Sequence, residues 1–137
     1  MELRTLEFLR RYEQNGKTGD ITALIAQFAE VFIVAAPDGA SVVRSTEFAK
    51  VLPKRKEQFD AMGCRSTELL DVKETPISSR YIMASTKWKM VFNHPAETRI
   101  DKEVLVDSSF VIDVGENGSK IILYVPHQDV VKQMQSS

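Results

Sequence analysis

Between Ser79 and Asn93 the side chains alternate with a period of two. Ile82, Ala84, Thr86, Trp88, Met90 and Phe92 fall on one face, and Tyr81, Met83, Ser85, Lys87, Lys89 and Val91 on the other. Successive side chains of a strand point to opposite sides of its sheet. The stretch therefore predicts one long β-strand with an almost wholly apolar face and a mixed face carrying two lysines. Such a strand packs against protein on one side and meets water or a partner on the other. At the N-terminus the period is helical instead. Leu3, Leu6, Phe8, Leu9 and Tyr12 share one helix face, and Asn15-Gly16 is expected to stop it. Asp20 is placed to cap a second short helix with the stripe Ile21, Leu24, Ile25, Phe28 and Ala29. Val31–Ala36 is β-branched and aromatic and predicts a short buried strand. The turn Pro37-Asp38-Gly39 ends it, and Val42 and Val43 form a brief strand or loop behind it. A third helix opens at Ser45, with Phe48, Val51, Leu52, Phe59 and Met62 on its buried side. Pro53 lies within it, so a kink or break is expected near Leu52. Gly63 closes it.

From Cys64 onward the pattern is that of strands. Cys64–Thr75 is one, and residues Glu74 to Ser78 connect it to the long strand. Asn93 to Glu97 form a turn or wide loop. Ile100–Val114 is another long strand, with a bulge expected near Asp107-Ser108-Ser109. Gly115-Glu116-Asn117-Gly118 is a hairpin turn, since Asn-Gly suits the left-handed backbone such turns require. Lys120–Val125 is the last strand, ended by Pro126, and His127–Gln135 is expected to form a terminal helical turn. Helices followed by strands mean an α+β fold. Hairpin-linked strands of this length twist and curl, which leaves the helices to cover a concave face. Without repeats, low-complexity segments or linkers, residues 1–137 are expected to form a single domain.

Composition narrows the classes. The hydrophobic fraction is 43%, the charged fraction 27% and the net charge −1, so no global field draws the chain to nucleic acid. The single cysteine, Cys64, excludes an intramolecular disulfide and a multi-cysteine zinc site. No neighbouring histidine or cation pair marks it as a nucleophile. The N-terminus lacks the apolar core of a signal peptide, and no apolar run is long enough to cross a bilayer. A cytoplasmic protein is the expectation. The basic cluster Lys54-Arg55-Lys56 reads as a solvated helix face, with a polyanion site as the sharper reading.

The order Arg11-Tyr12, Gly19-Asp20-Ile21, Leu24-Ile25-Ala26-Gln27-Phe28-Ala29, Pro37-Asp38-Gly39 and Phe48 resembles the NTF2-like superfamily. That superfamily, with its cystatin-like cone, includes the SnoaL-like polyketide cyclases, scytalone dehydratase and ketosteroid isomerase. The resemblance covers nearly the whole chain. It implies a cone with an apolar pocket between the helices and the inner sheet face, and a homodimer built on the outer sheet face. It does not imply one activity, because the family holds enzymes, small-molecule binders and interaction modules.

Candidate chemistry follows from the family's isomerase pattern. There a first-helix tyrosine donates to an oxyanion, a carboxylate before a proline turn moves the proton, and a protonated acid on a later strand donates again. Tyr12 matches the tyrosine by its spacing to Gly19-Asp20. The base position is Ala36, which cannot move a proton, and the third position falls at Ser108–Phe110, close to Asp107 and Asp113. His94 and His127 adjoin prolines at strand ends, read as loop histidines, and have no metal-ligand spacing. No phosphate loop or nucleophile elbow is present. No cofactor or metal is therefore expected.

The leading expectation is a small, mostly apolar molecule bound in the cone. Its candidate pocket residues are Tyr12, Phe59, Thr86, Trp88 (through its indole N–H) and Met90, with Asp38 near the mouth. The alternatives are an isomerase, dehydratase or hydrolase acting on a carbonyl compound, with Tyr12 as donor and Asp38 or His94 as base, and an interaction module that docks a protein on the outer sheet face.

Overall fold

A computed structural model describes residues 4–94, 97–115 and 118–128. Among these residues the chain forms, in order, α1 (Leu6–Thr18), α2 (Ile21–Ile25), β1 (Phe28–Ala36), β2 (Gly39–Arg44), α3 (Ser45–Ala61), β3 (Cys64–Pro76), β4 (Tyr81–His94), β5 (Glu97–Asp113) and β6 (Lys120–Pro126). The strands make one sheet in the order β2-β1-β6-β5-β4-β3. Neighbours are antiparallel except β1 and β6, which run parallel. The α3 helix carries the chain from the β2 edge to the β3 edge, so it must cross the sheet.

The alternation around Trp88 decides which face is covered. Ile82, Ala84, Thr86, Trp88, Met90 and Phe92 are all buried, and the opposite face of β4 is half-buried or exposed. Leu69 and Val72 of β3, Phe110 and Ile112 of β5, Ile121 of β6, and Phe28 and Phe32 of β1 join Trp88 beneath Phe8 and Leu9 of α1. A second cluster of Met90, Phe92 and Val104 packs against Phe59 and Met62. On the outer face the two lysines of β4 meet acids across the strands. Lys87 lies in register between Asp71 and Asp107, and Lys89 pairs with Glu68 at 3.7 Å.

Several boundaries differ from the sequence reading, each for a local reason. The first helix does not stop at Asn15-Gly16. It runs to Thr18 and ends on Gly19, whose φ of +72° supplies the left-handed cap while its N–H donates to the Asn15 carbonyl. Asp20 caps α2 as expected, accepting from the Ala23 amide at 3.0 Å. That helix is shorter than its stripe implied, because Phe28 and Ala29 already belong to β1. Val42 and Val43 lie in a full strand, β2. The third helix continues through Pro53 without a break. The proline frees the Ala49 carbonyl, and the packing of Phe48 on one side and Phe59 on the other holds the helix in place. The β4–β5 register is continuous through Asp107-Ser108-Ser109. Register shifts lie instead in β3, near Arg65 and Leu70, in the pairing of β5 with β6 near Ile112, between Phe28 and Ile33 where β1 meets β6, and between Asn93 and His94 at the end of β4. Leu3, Pro95-Ala96 of the expected turn, Glu116-Asn117 and the expected helical turn beyond Gln128 lie outside the described residues.

Two glycines are demanded by their surroundings. Gly19 makes the α1 cap. Gly63, at φ +87°, lets α3 turn directly into β3 while its carbonyl accepts from the Asn93 amide at 2.8 Å, and a Cβ there would collide with the Asn93 carbonyl.

Polar side chains fix α1 along the free edge of β3. The Glu74 carboxylate accepts from the Arg4 amide at 3.1 Å, the Thr5 amide at 2.6 Å and the Thr5 hydroxyl. A carboxylate on a distant strand thus does the work of a helix-capping glutamate, at the end where the helix dipole favours negative charge. One turn further, Arg10 donates to the Leu69 carbonyl at 3.0 Å and Glu13 accepts from the Leu69 amide at 2.7 Å. These two side chains satisfy backbone groups that an uncovered edge strand would leave open. Buried Gln27, just past α2, donates to the Phe8 carbonyl at 2.9 Å and accepts from the Asn15 side-chain amide at 3.1 Å, which ties α1 to the start of β1.

Burial raises the Glu74 carboxyl, but the hydrogen bonds from Thr5 and Arg4 outweigh it and leave the group below its ordinary value of 4.5. A depressed folded-state value contributes stability above the ordinary carboxyl range and loses it as pH falls through the folded value. Glu74→Ala should cost about 1–2 kcal/mol at neutral pH. The difference from wild type should shrink as pH drops below that range, as measured by urea unfolding at pH 7 and pH 3.

A candidate binding cavity under the third helix

The α3 helix has an apolar side made by Phe48, Leu52 and Phe59, yet none of its residues is fully buried. The reason is the space beneath it. A cavity of about 570 Å³ lies between the helices and the inner sheet face, within the ~300–1,000 Å³ typical of small-molecule sites. All three helices and β3 to β6 contribute to its wall. Buried Leu24, Trp88, Met90 and Phe110 form its apolar depth. The half-buried rings of Tyr12, Phe48, Phe59 and Tyr124 stand around them, and exposed Lys17, Arg55, Lys56, Asp60 and Arg65 lie at the rim.

Tyr12 is held by rings on three sides. Its centroid lies 6.1 Å from Phe28, 6.1 Å from Trp88 and 5.4 Å from Phe110, the last in an edge-on arrangement. Tyr12 lines the cavity, and its hydroxyl makes no hydrogen bond to any described residue. Burial raises the phenol well above its ordinary 10.0, Tyr124 adds to the shift and Arg55 opposes it. Tyr12 is therefore a neutral hydrogen-bond donor across the physiological range.

Of the sequence candidates, Tyr12, Phe59, Trp88 and Met90 line this cavity. Thr86 stands behind its wall. The Trp88 indole N–H donates to the Thr86 hydroxyl at 2.7 Å, and that hydroxyl bonds in turn to the Ser108 carbonyl at 2.9 Å and the Ser108 hydroxyl at 2.8 Å. The indole lines the cavity, and its N–H is committed to the sheet. Asp38 is not at the mouth: it sits on the exposed β1–β2 turn and is absent from the lining. His94 ends β4, with its side chain outside the described residues. His127 is exposed and bonds through Nε2 to the Ser109 hydroxyl at 2.8 Å. Ser108 and Phe110 do line the cavity. Asp107 and Ser109 fall on the opposite face of the same strand, and Asp113 is engaged by Arg80 through two bonds of 2.9 Å.

The carboxylates of the lining are Glu13 and Asp60. Glu13 is held by Arg10 and the Leu69 amide, and Asp60 lies 3.6 Å from Lys56 at the rim. Cys64 also lines the cavity, but burial pushes its thiol above the ordinary value, away from the activated thiolate range. No group of His, Cys, Asp and Glu among the described residues is placed to hold a metal ion, and none of their helices is long and apolar enough to cross a membrane. Sequence reasoning missed Tyr124 and Arg55. Tyr124 was hidden in a short strand of unbroken apolar character, and Arg55 in a cluster of like charges.

No family model and no curated protein sequence matches the chain. Solved structures do. An NTF2-like protein with a cystatin-like fold from Novosphingobium aromaticivorans superposes with a TM-score of 0.71 at 12% identity, over 93% of this chain and 84% of its own. A candidate scytalone dehydratase from the same organism gives 0.65 at 14% identity, over 88% and 78%. The β subunit of benzoate 1,2-dioxygenase from Burkholderia mallei gives 0.67 at 13% identity, over 95% and 94%. At these identities the likeness is one of fold, and the fold is the NTF2-like, cystatin-like arrangement that the sequence resembles.

Thr86→Val keeps the shape of the wall and removes the acceptor of the Trp88 indole. It should lower stability by about 1–3 kcal/mol, the cost of a buried donor left unmatched. The urea midpoint should fall with an unchanged slope. An unchanged midpoint would mean that the indole finds another acceptor.

Proposed function

We propose that the chain binds a small, mostly apolar molecule in the cavity under α3. The observation that carries this reading is a helix whose apolar side fronts unfilled space. Phe48 packs on Phe28 and Phe32 and Phe59 on the Met90 cluster, and together with Leu52 of the same helix and Trp88 and Phe110 of the sheet they line a volume left open between helix and sheet. Close packing is the rule in protein interiors, and an apolar void of this size, with a phenol donor at its wall, has the makeup of a binding site. Binding is favoured over a carbonyl-directed reaction by the state of the carboxylates. Asp38 is elsewhere, Ala36 stands at the family's base position, and Glu13 and Asp60 already have partners. The neighbours of this fold named for enzymes do not alter that balance, since fold alone carries no reaction.

A thermal-shift screen against small apolar carbonyl compounds, acids and fused-ring molecules tests the reading. A ligand at a hundred times its Kd adds about 2.7 kcal/mol, which is several degrees for a domain of this size. Leu52→Trp, which fills the cavity from α3, should abolish the shift while leaving the fold intact by circular dichroism. No shift in wild type, or a shift undiminished in the variant, would overturn the proposal.

We also propose self-association through the outer sheet face. Met83, Val111, Leu123, Ile33 and Val42 lie in one cross-strand row over β4, β5, β6, β1 and β2, and Ile33 and Val42 are exposed in the isolated chain. A continuous apolar row on a sheet surface marks a contact face. Sedimentation velocity at micromolar concentration should give a dimer for wild type and a monomer for Leu123→Lys. A monomeric wild type would rule the association out.

A further inference from the structure

The two edges of the sheet differ. Along β3, Arg10, Glu13 and Glu74 tie α1 down, and Arg10 and Glu13 take backbone groups that the edge leaves open. Along β2 every residue is exposed except Val43, which is half-buried, and among the described residues its strand neighbour is β1 alone. Val42, 73% exposed, is the most exposed large apolar side chain among the described residues. The strand also lacks the devices that keep an edge from pairing. Gly39–Arg44 holds no proline and no lysine, and its register with β1 runs without a bulge. After Arg44 the α3 helix leaves toward the opposite edge. Alternate residues of β2 turn their N–H and C=O away from β1, which is a template for one more strand.

The strand's own sequence points to its occupant. Arg44, Val42 and Ala40 lie in register with Val31, Ile33 and Ala35 and share the outer face, whereas Val43 and Ser41 lie opposite buried Phe32 and half-buried Val34 on the inner one. Two copies related by a two-fold axis normal to the sheet pair antiparallel, and every contact then occurs twice. With the axis at Ser41, Val42 of each copy meets Ala40 of the other, large against small, and Ser41 meets Ser41. The ends match in charge. Arg44 of each copy falls opposite Asp38 of the other, on the turn just ahead of the strand. Both residues are exposed, and neither is paired with a described residue. A register centred on Val42 instead sets Arg44 against Ala40 and leaves Asp38 facing the start of α3. We propose that β2 is a docking edge for a second copy of this chain, antiparallel and centred on Ser41, with Asp38 and Arg44 paired reciprocally. The apolar row of the outer face, which ends at Val42, runs on through Ala40 and Ala35 of the second copy. The contact is distinct from the outer-face association. With six residues a side it is smaller than a stable interface, and so weak and reversible.

Leu123→Lys, which disables the outer-face contact, isolates this one. Its mass is followed by sedimentation equilibrium from about 10 μM to about 1 mM and should rise from monomer toward dimer. In that background Asp38→Arg and Arg44→Asp each set like charges opposite one another twice, and each should weaken association roughly tenfold. The double variant Asp38→Arg, Arg44→Asp restores opposite charges and should recover the affinity to within about threefold. Circular dichroism checks that each variant keeps its fold. Should Leu123→Lys not fold, the same three variants are made in the wild type, and their masses at the highest concentration should fall in the same order. Amide exchange should slow with concentration in β2 and not elsewhere in the sheet. A monomer throughout the range, association unchanged by either single reversal, or a double variant that does not recover would overturn the proposal. So would concentration-dependent protection that spares β2. None of these results bears on the outer-face contact, which is read in the wild type at micromolar concentration.

Discussion

The docking of α1 along the free edge of β3 governs everything above the sheet. An edge strand of thirteen residues has backbone donors and acceptors that must end somewhere. Here Arg10 and Glu13 take the carbonyl and the amide of Leu69, and Glu74 takes the amides ahead of the helix. These bonds fix the rotation and height of the helix at once. With that rotation set, Phe8 and Leu9 point into the core, and Tyr12, one turn later, stands over Trp88 and Phe110. A helix held only by apolar contacts could slide or roll, because such contacts are non-directional.

The cavity is the counterpart of that constraint. The α1 helix covers the β3 side of the sheet and α2 is only five residues long, so the remaining cover falls to α3. That helix is anchored at its ends. Ser45 follows directly from β2, and Gly63 turns it straight into β3 against the Asn93 carbonyl. Its span is set by the distance between the two sheet edges and not by the volume beneath it. The side chains of Phe48, Leu52 and Phe59 reach the space and do not fill it.

Much of this was legible in the sequence. The period-two alternation of β4 names its buried face residue by residue, because a strand with one apolar face has one register that buries it. Asp20 as a cap and the β5–β6 hairpin rest on equally local chemistry. Local rules failed where a choice depended on partners far along the chain. Gly16 or Gly19 could each end α1, and the bond from Gly19 to Asn15, with Asp20 opening the next helix, decides for the second. Phe28 fits a helical stripe, and its pairing with Ile121 of β6 makes it a strand residue. Pro53 predicts a break in isolation, and the packing on either side of it overrides that tendency. For the site, Tyr12, Phe59, Trp88 and Met90 could be picked as large side chains on faces that the periodicity turns inward. Asp38 was misplaced because a turn residue carries no periodicity to orient it. Tyr124 and Arg55 stood out in neither pattern nor composition, and only the folding of β6 and α3 toward a common space brings them near Tyr12.

The polar groups around the cavity sort by where their hydrogen bonds end. Those of Trp88, Thr86 and Ser108 close on one another, so this network stiffens the wall and offers little to a ligand. Glu13 and Gln27 likewise end on the backbone of the fold. The phenols of Tyr12 and Tyr124 end on no described residue. No buried side-chain polar atom among the described residues lacks a partner, so these two hydroxyls are reached by solvent, and water can match them as the rule for buried polar groups requires. Residues whose bonds close internally account for the shape of the cavity. In the sequence the tryptophan was the conspicuous candidate donor, and in the fold its N–H is spent on Thr86, so the feature that made it conspicuous serves the wall.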